Sequence, residues 1–227
     1  MLWIHILIPL AAAVLFISYY SFSPWNTEKK ISGYFEVIGI AFPLMIGLIS
    51  GKCAEQERQS GNFQTMLSSV QSRSSAYTSK LFVLLMLGIL AVAIAIGVFA
   101  VGYKTAPEIL CFKVAGLLIA GSVFPYILHL FVSLQFGRGA SIGLGIVESL
   151  ISALALTGLG DEKWYYIPCT WSARLCDCLV SIWINPVKTI GYTEIGKCMI
   201  VAIPATIAAF VISLFWFQHW EGSQSNE

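Results

Sequence analysis

Residues 81–103 read LFVLLMLGILAVAIAIGVFAVGY, a stretch of 23 residues without a single charge. A helix needs about 20 apolar residues to cross the roughly 30 Å hydrocarbon layer of a bilayer. The rest of the chain has the same character, because 57% of its 227 residues are hydrophobic and only 11% are charged. Soluble domains carry roughly a quarter charged residues. The sequence therefore predicts an integral membrane protein.

Six apolar stretches have the length of a span and predict an all-α protein with one transmembrane domain over residues 1–227. They are residues 3–22, 34–51, 81–103, 114–136, 139–160 and 198–217. The first stretch has no basic residue before it and no clear small-residue cleavage site. We therefore interpret it as a span and not as a secretory signal.

Composition also bears on the chemistry to expect. A net charge of +1 gives no reason to expect a nucleic-acid partner. The six cysteines lack the paired spacing of a zinc or redox site, and no Ser, His and Asp grouping stands out. We predict no catalytic residue, no metal and no cofactor bound by this chain. A disulfide among Cys169, Cys176 and Cys178, which share one predicted loop, stays open at this stage.

Six spans place both termini on the same side of the membrane as residues 52–80, and residues 161–197 on the other side. Lys and Arg accumulate in cytoplasmic loops. Here the side with the termini carries five of them and the other side carries eight. Charge alone therefore does not establish that the termini are cytoplasmic, and the orientation depends on a motif.

That motif lies in residues 52–80, which read KCAEQERQSGNFQTMLSSVQSRSSAYTSK. Phe63, Met66, Leu67 and Val70 recur at i, i+3, i+4 and i+7, the spacing of a narrow apolar helix face. Such a helix can seat in a groove of another protein or lie on lipid headgroups. Periodicity does not decide between these two interpretations.

The segment AEQERQSGNFQTMLSS, with the following S-R and the Tyr and Lys that open the next span, resembles ABC-2 type permeases. The stretches WIHILIPL near the N-terminus, TGLGD and WYYIPCTW narrow the resemblance to permease subunits of lantibiotic self-protection (immunity) transporters of the nisin and mutacin kind. It covers nearly the whole chain. One departure is that family members usually have a basic amphipathic stretch before the first span, whereas this sequence enters its first apolar stretch at Trp3.

The resemblance implies a bacterial plasma-membrane protein with cytoplasmic termini, which works with an ABC ATPase subunit and a second homologous permease. Because this chain has no G-x-x-x-x-G-K-[ST] motif, ATP would be used by the partner ATPase. The implied substrate is an amphiphilic, lantibiotic-like peptide in the membrane lipid; another amphiphile or a bacitracin-like antibiotic is the alternative. Residues 52–80 would hold the cytoplasmic coupling helix. Its ATPase contact would include Glu57, Gly61, Phe63, Gln64, Met66, Leu67 and Val70.

His129 and Glu148 are ionisable side chains well inside predicted spans. A carboxylate at mid-membrane costs roughly 2.5 to 3.5 kcal/mol on insertion scales. The turn at residues 137–139 makes these spans an antiparallel hairpin, and at 1.5 Å per residue the two side chains differ in depth by about 3 Å. We therefore predict a pair. It either locks the bundle or lies on a substrate or subunit path; an intramembrane enzyme and a purely structural membrane protein are the alternatives from other classes.

The long loop at residues 161–197 contains a second helical pattern. Its apolar residues are Trp171, Leu175, Cys178, Leu179, Ile182 and Trp183, and the pattern ends at Asn185 and Pro186. It predicts a membrane-seated outer helix between spans five and six, with Tyr165, Tyr166 and Trp171 at headgroup depth. These aromatic side chains either meet the peptide substrate first or only complete the fold.

Overall fold

The chain is helical in the computed structural model, which describes residues 2–61, 63–68, 72–187 and 189–222. Within these ranges there is no β-strand, and the α-helices are α1 (Leu2–Phe22), α2 (Thr27–Gln59), α3 (Gln64–Ser68), α4 (Arg73–Gly102), α5 (Glu108–Phe136), α6 (Arg138–Ala155), α7 (Trp171–Ile184) and α8 (Ile190–His219). Six of them, α1, α2, α4, α5, α6 and α8, are long and apolar enough to cross a membrane. The prediction of a six-span, multi-pass membrane protein is confirmed.

The helices extend beyond the apolar stretches in most places. α2 has 33 residues, a length of about 50 Å, because Asn26 caps its start by accepting a hydrogen bond from the Lys29 amide and because it continues through a polar end to Gln59. α6 is the exception. It ends at Ala155, five residues before the predicted boundary, and Thr157 caps a short 3₁₀ turn instead.

The helix bundle has two ends. The terminal side is where α1 begins and α8 ends, and it also holds α3. The loop side holds residues 156–187, which contain three 3₁₀ turns and α7.

Close backbone contact joins α2 to α6. A methyl group added at Gly145 of α6 would lie 2.9 Å from the Pro43 carbonyl oxygen of α2, and one at Gly47 would lie 2.5 Å from the Ser141 carbonyl oxygen. Small residues allow membrane helices to approach in this way and to gain van der Waals contact, since lipid offers no hydrophobic drive for association. α2 also packs against α5 and α7, and is the central helix of the bundle.

α7 lies inside the bundle. Its first turn contacts Gly39 of α2, where an added methyl would lie 2.6 Å from the Ala173 Cα, and Gly121 of α5, where it would lie 2.9 Å from the Ser172 amide nitrogen. Gly39 is 12 residues from the start of α2, about 18 Å along the axis. α7 therefore begins deep between α2 and α5 and runs back to the loop side.

A helix lies between spans five and six, where the sequence predicted one along or dipping into the outer leaflet, but its burial is not confined to the one apolar face expected from the spacing. Its buried residues cover most of its circumference: Trp171, Ser172, Ala173, Leu175, Cys176, Cys178, Val180 and Ile182. The apolar spacing predicted the helix. Ser172 is polar and lies outside the predicted apolar face, so its burial was not predicted. All six cysteines lie in the described part of the chain and are free, buried thiols, so no disulfide joins Cys169, Cys176 and Cys178.

Candidate functional site

A chain of buried hydrogen bonds crosses the middle of the bundle. His129 Nε2 on α5 lies 2.8 Å from Glu148 Oε2 on α6, and His129 Nδ1 lies 3.0 Å from the Ser141 hydroxyl oxygen. That hydroxyl donates to the carbonyl oxygen of Gly47 on α2 at 3.0 Å. His129 and Ser141 are fully buried, and Glu148 is nearly so. The two polar groups that the sequence placed at similar depth are thus in direct contact.

The hydrogen bonds limit where the protons can be. A serine hydroxyl has one proton, and Ser141 donates it to Gly47, so His129 Nδ1 must carry a proton and donate to Ser141. Nε2 then either accepts from a protonated Glu148 or donates, as part of an imidazolium, to the carboxylate. The pair is electrically neutral in both arrangements. This neutrality explains how a histidine and a glutamate can be buried among apolar helices.

Two further serines extend the polar contacts of α6. The Ser152 hydroxyl lies 2.8 Å from the carbonyl oxygens of both Glu148 and Cys169, and so links α6 to the segment that leads into α7. The amide of Leu44 on α2 donates to the Ser149 hydroxyl at 3.2 Å. The buried face of α6 therefore hydrogen-bonds to α2, to α5 and to the residues before α7.

The segment between α2 and α4 forms the second candidate site, on the terminal side. Gly61 has φ +139°, and Phe63 has φ +66°, a left-handed conformation that costs a non-glycine residue about 1–3 kcal/mol. Burial compensates that cost. Phe63 is only 3% exposed, and its ring meets Trp220 edge to face with centroids 5.1 Å apart.

Two residues of the predicted docking face, Phe63 and Leu67, pack against the chain itself. Phe63 precedes α3 and packs into the chain's own core, and Leu67 is partly buried against that core. Val70 and the side chain of Met66 lie outside the described residues. The apolar spacing predicted Phe63 as part of the helix. Spacing does not reveal that the residue just before the first turn of α3 has a left-handed backbone conformation.

Other predicted contact residues do reach the surface. Gly61 and Gln64 are exposed, as is Gln59 at the end of α2. Glu57 is half-buried and forms an ion pair with Lys80 of α4, which fixes the end of α2 beside the start of α4. Among the described residues of this segment, Gln59, Gly61 and Gln64 therefore form an exposed polar surface.

The three aromatic residues predicted on the loop side occupy different environments. Trp171 is 1% exposed, and its indole N–H donates to the Tyr165 carbonyl oxygen at 3.0 Å. Tyr165 is half-buried, whereas Tyr166 is 66% exposed. Of these three aromatic residues, the two tyrosines are accessible from the loop side and Trp171 is not.

Sequence reasoning missed Arg174, which organises the charged groups beside these tyrosines. Its guanidinium lies 5.5 Å from the ring centroid of Trp164, 2.8 Å from Asp161 Oδ1 and 3.4 Å from Asp177 Oδ2. Burial raises the pKa of Asp177, and Arg174 partly opposes that rise. An arginine three residues before an aspartate on a helix was the available signal.

An apolar cleft of about 270 Å³ opens between α5, α7 and α8. Its lining includes Ala120, Gly121, Trp171, Cys198, Ala202 and Thr206. Trp171 thus lines this cleft and also hydrogen-bonds to Tyr165, and an apolar side chain could occupy the space without losing apolar surroundings.

No family model, curated protein or solved structure matches this chain. Among the described residues, no group of three or more His, Cys, Asp or Glu side chains is arranged to hold a metal ion.

Proposed function

We propose that this chain is the permease subunit of an ABC transporter of the ABC-2 type, which removes a lantibiotic-like peptide from the bacterial plasma membrane and so protects the cell. A separate ATP-binding subunit supplies the energy, and a second homologous permease completes the membrane part. In this proposal the termini are cytoplasmic and the chain has no catalytic residue.

One observation carries the proposal. The segment between α2 and α4, which carries the strongest sequence resemblance, contains a short helix at the terminal side with an exposed polar surface at Gln59, Gly61 and Gln64. A soluble subunit could reach this surface without entering the bilayer. Lys80 and Glu57 connect it to two long spans, so binding there would act on both.

The loop side supports the choice of substrate. Tyrosine and tryptophan favour the membrane–water interface, where amphiphilic peptides also partition. Tyr165 is half-buried and Tyr166 is exposed, and the cleft lined by Trp171 is apolar. A peptide would first contact the tyrosines and then insert an apolar side chain beside α8.

His129 and Glu148 have a structural part in this proposal. Their hydrogen bonds hold α5, α6 and α2 at one relative depth. They keep the central helices together while the ends of the bundle move.

Deleting the gene tests the proposal directly. Tolerance to one lantibiotic should fall several-fold, while tolerance to antibiotics that do not act at the membrane should stay unchanged. Purification of the tagged chain in mild detergent should also recover an ATPase. Loss of tolerance to bacitracin-like peptides alone would favour the alternative substrate class. Unchanged tolerance to every membrane-active peptide, with the ATPase still expressed, would contradict a protective role and favour export of another amphiphile.

A further inference from the structure

The end of α8 is fastened to the start of α4. Arg73 Nη1 donates to the carbonyl oxygens of Gln218 at 3.0 Å and of Trp220 at 3.1 Å. The Gln218 side-chain amide donates to the Ser74 hydroxyl at 2.9 Å. The last carbonyls of a helix have no partner within the helix and carry partial negative charge. Arg73 therefore satisfies and neutralises this end of α8.

Aromatic rings form a second connection at the same place. Trp220 is 5% exposed and lies between Phe63 and Phe217, with ring centroids 5.1 and 5.5 Å away. Phe217 in turn contacts Tyr77 of α4 at 5.3 Å. We call Phe63, Arg73, Ser74, Gln218 and Trp220 the clasp. It joins the end of α8 to the first turn of α4 through hydrogen bonds, and to Phe63 in the segment between α2 and α4 through a ring contact.

α8 is the least buried of the six spans. At its loop-side end it is held by α7, because Gly191 fits against the Ile182 side chain and the Cys178 carbonyl, and by the bond from the Trp164 indole to Glu194. Between its two ends, one flank of α8 borders the apolar cleft. α8 is one continuous helix of 30 residues, and Pro204 within it removes one backbone hydrogen bond without ending the helix, so displacement at one end can reach the other.

We propose that the clasp makes α8 a lever, which carries displacement of the segment between α2 and α4 across the membrane to α7 and the apolar cleft. This inference rests on the proposed function only in naming an ATPase as the source of the displacement. The mechanical connection itself is a property of this chain and can be measured without a partner.

Cys198 offers a native reporter of the lever. It lies on α8, is fully buried, and is 20 residues from Gln218, about 30 Å along the helix. Cys111 on α5 is also buried and at the loop side, but it is not part of α8. It serves as an internal control in the same molecule.

The experiment compares alkylation rates of Cys198 and Cys111 in the full-length chain in lipid vesicles, with a membrane-permeant maleimide and detection by mass spectrometry. Arg73→Gln should raise the Cys198 rate several-fold and leave the Cys111 rate unchanged. Lys104→Gln, which removes an exposed cation on the loop side, should change neither rate. Arg73→Lys, which keeps a cationic donor near the carbonyls at the end of α8, should raise the Cys198 rate less than Arg73→Gln does.

Equal Cys198 rates in the unchanged and Arg73→Gln chains would overturn the lever. A parallel rise at Cys111 would overturn it as well, because that result indicates general loosening of the fold. Adding the ATPase with ATP should change the Cys198 rate in the unchanged chain and have no effect after Arg73→Gln. If the ATPase has no effect on either chain while Arg73→Gln still raises the rate, the lever stands and the proposed function fails.

Discussion

His129 Nε2 lies 2.8 Å from Glu148 Oε2, and both side chains are buried between spans. Removing one partner leaves the other without its compensation, a loss of about 3–5 kcal/mol for buried pairs. We expect Glu148→Gln and His129→Phe each to lower thermal stability, and the double variant to lose less than the sum. A double-mutant cycle on melting in detergent measures the coupling, which should exceed about 1 kcal/mol. Strictly additive losses would contradict the pair.

The contact between α2 and α6 gives a second prediction with a matched control. Gly145→Ala would place a methyl group 2.9 Å from the Pro43 carbonyl oxygen and 3.0 Å from the Leu44 Cα, both backbone atoms that cannot move aside alone. Such overpacking costs about 1–3 kcal/mol. Gly143→Ala on the same helix meets nothing within 4 Å and should leave the melting temperature unchanged or slightly higher. Similar losses in both variants would argue against this packing.

The sequence predicted much of the fold because membrane spans leave a strong signal in apolar run length. It also predicted the contact of His129 with Glu148, since a tight turn relates the depths of two neighbouring spans. It did not predict that α7 inserts between α2 and α5. That placement depends on Gly39 and Gly121, and a lone glycine in an apolar stretch does not indicate which helix will approach it.

The terminal-side segment shows a different limit of sequence reasoning. An apolar residue at helical spacing is buried against either a partner or its own chain, and spacing alone does not distinguish the two. Phe63 is buried against Trp220, 157 positions later in the sequence, a contact that no local pattern encodes. The polar residues of the segment remain available for a partner.

Side-specific labelling tests the topology. Ser60 is exposed on the terminal side, and Val187, 91% exposed, lies on the loop side. Native cysteines should contribute little background because all six are buried. In intact cells an impermeant maleimide should label Val187→Cys and should leave Ser60→Cys unlabelled until the membrane is opened. Labelling of Ser60→Cys from outside would reverse the proposed orientation.

The burial of Phe63 changes how the ATPase contact should be tested. Phe63→Ala removes a core ring and should destabilise the permease itself by about 3–5 kcal/mol, so a lost partner would be uninformative in that variant. Gln59→Arg with Gln64→Arg adds bulk and charge to the exposed surface only. We expect this double variant to keep its melting temperature and to lose the ATPase on washing, as interface disruption typically costs 1 kcal/mol or more.

The control for the ATPase contact is Thr105→Arg, an exposed position between α4 and α5 on the loop side. It should retain the ATPase fully. If the Gln59 and Gln64 variant also retains the ATPase under identical washing, the exposed surface between α2 and α4 is not the docking site.

Substitutions of the loop-side aromatic residues distinguish a substrate contact from a structural role. Trp171 is buried, packs on Phe124 with centroids 5.6 Å apart and donates to Tyr165, so Trp171→Ala should lower the free energy of unfolding by about 3–5 kcal/mol. Tyr166→Ala removes an exposed ring and should change stability by less than about 0.5 kcal/mol.

If the tyrosine meets the peptide, Tyr166→Ala should nevertheless lower tolerance several-fold at equal protein abundance, while Tyr166→Trp keeps it, because either ring can lie at the interface. Exposed Tyr192, on the first turn of α8, is the matched control and should tolerate alanine without effect. Unchanged tolerance in Tyr166→Ala, with normal abundance and melting, would leave the loop-side aromatic residues as structural elements alone.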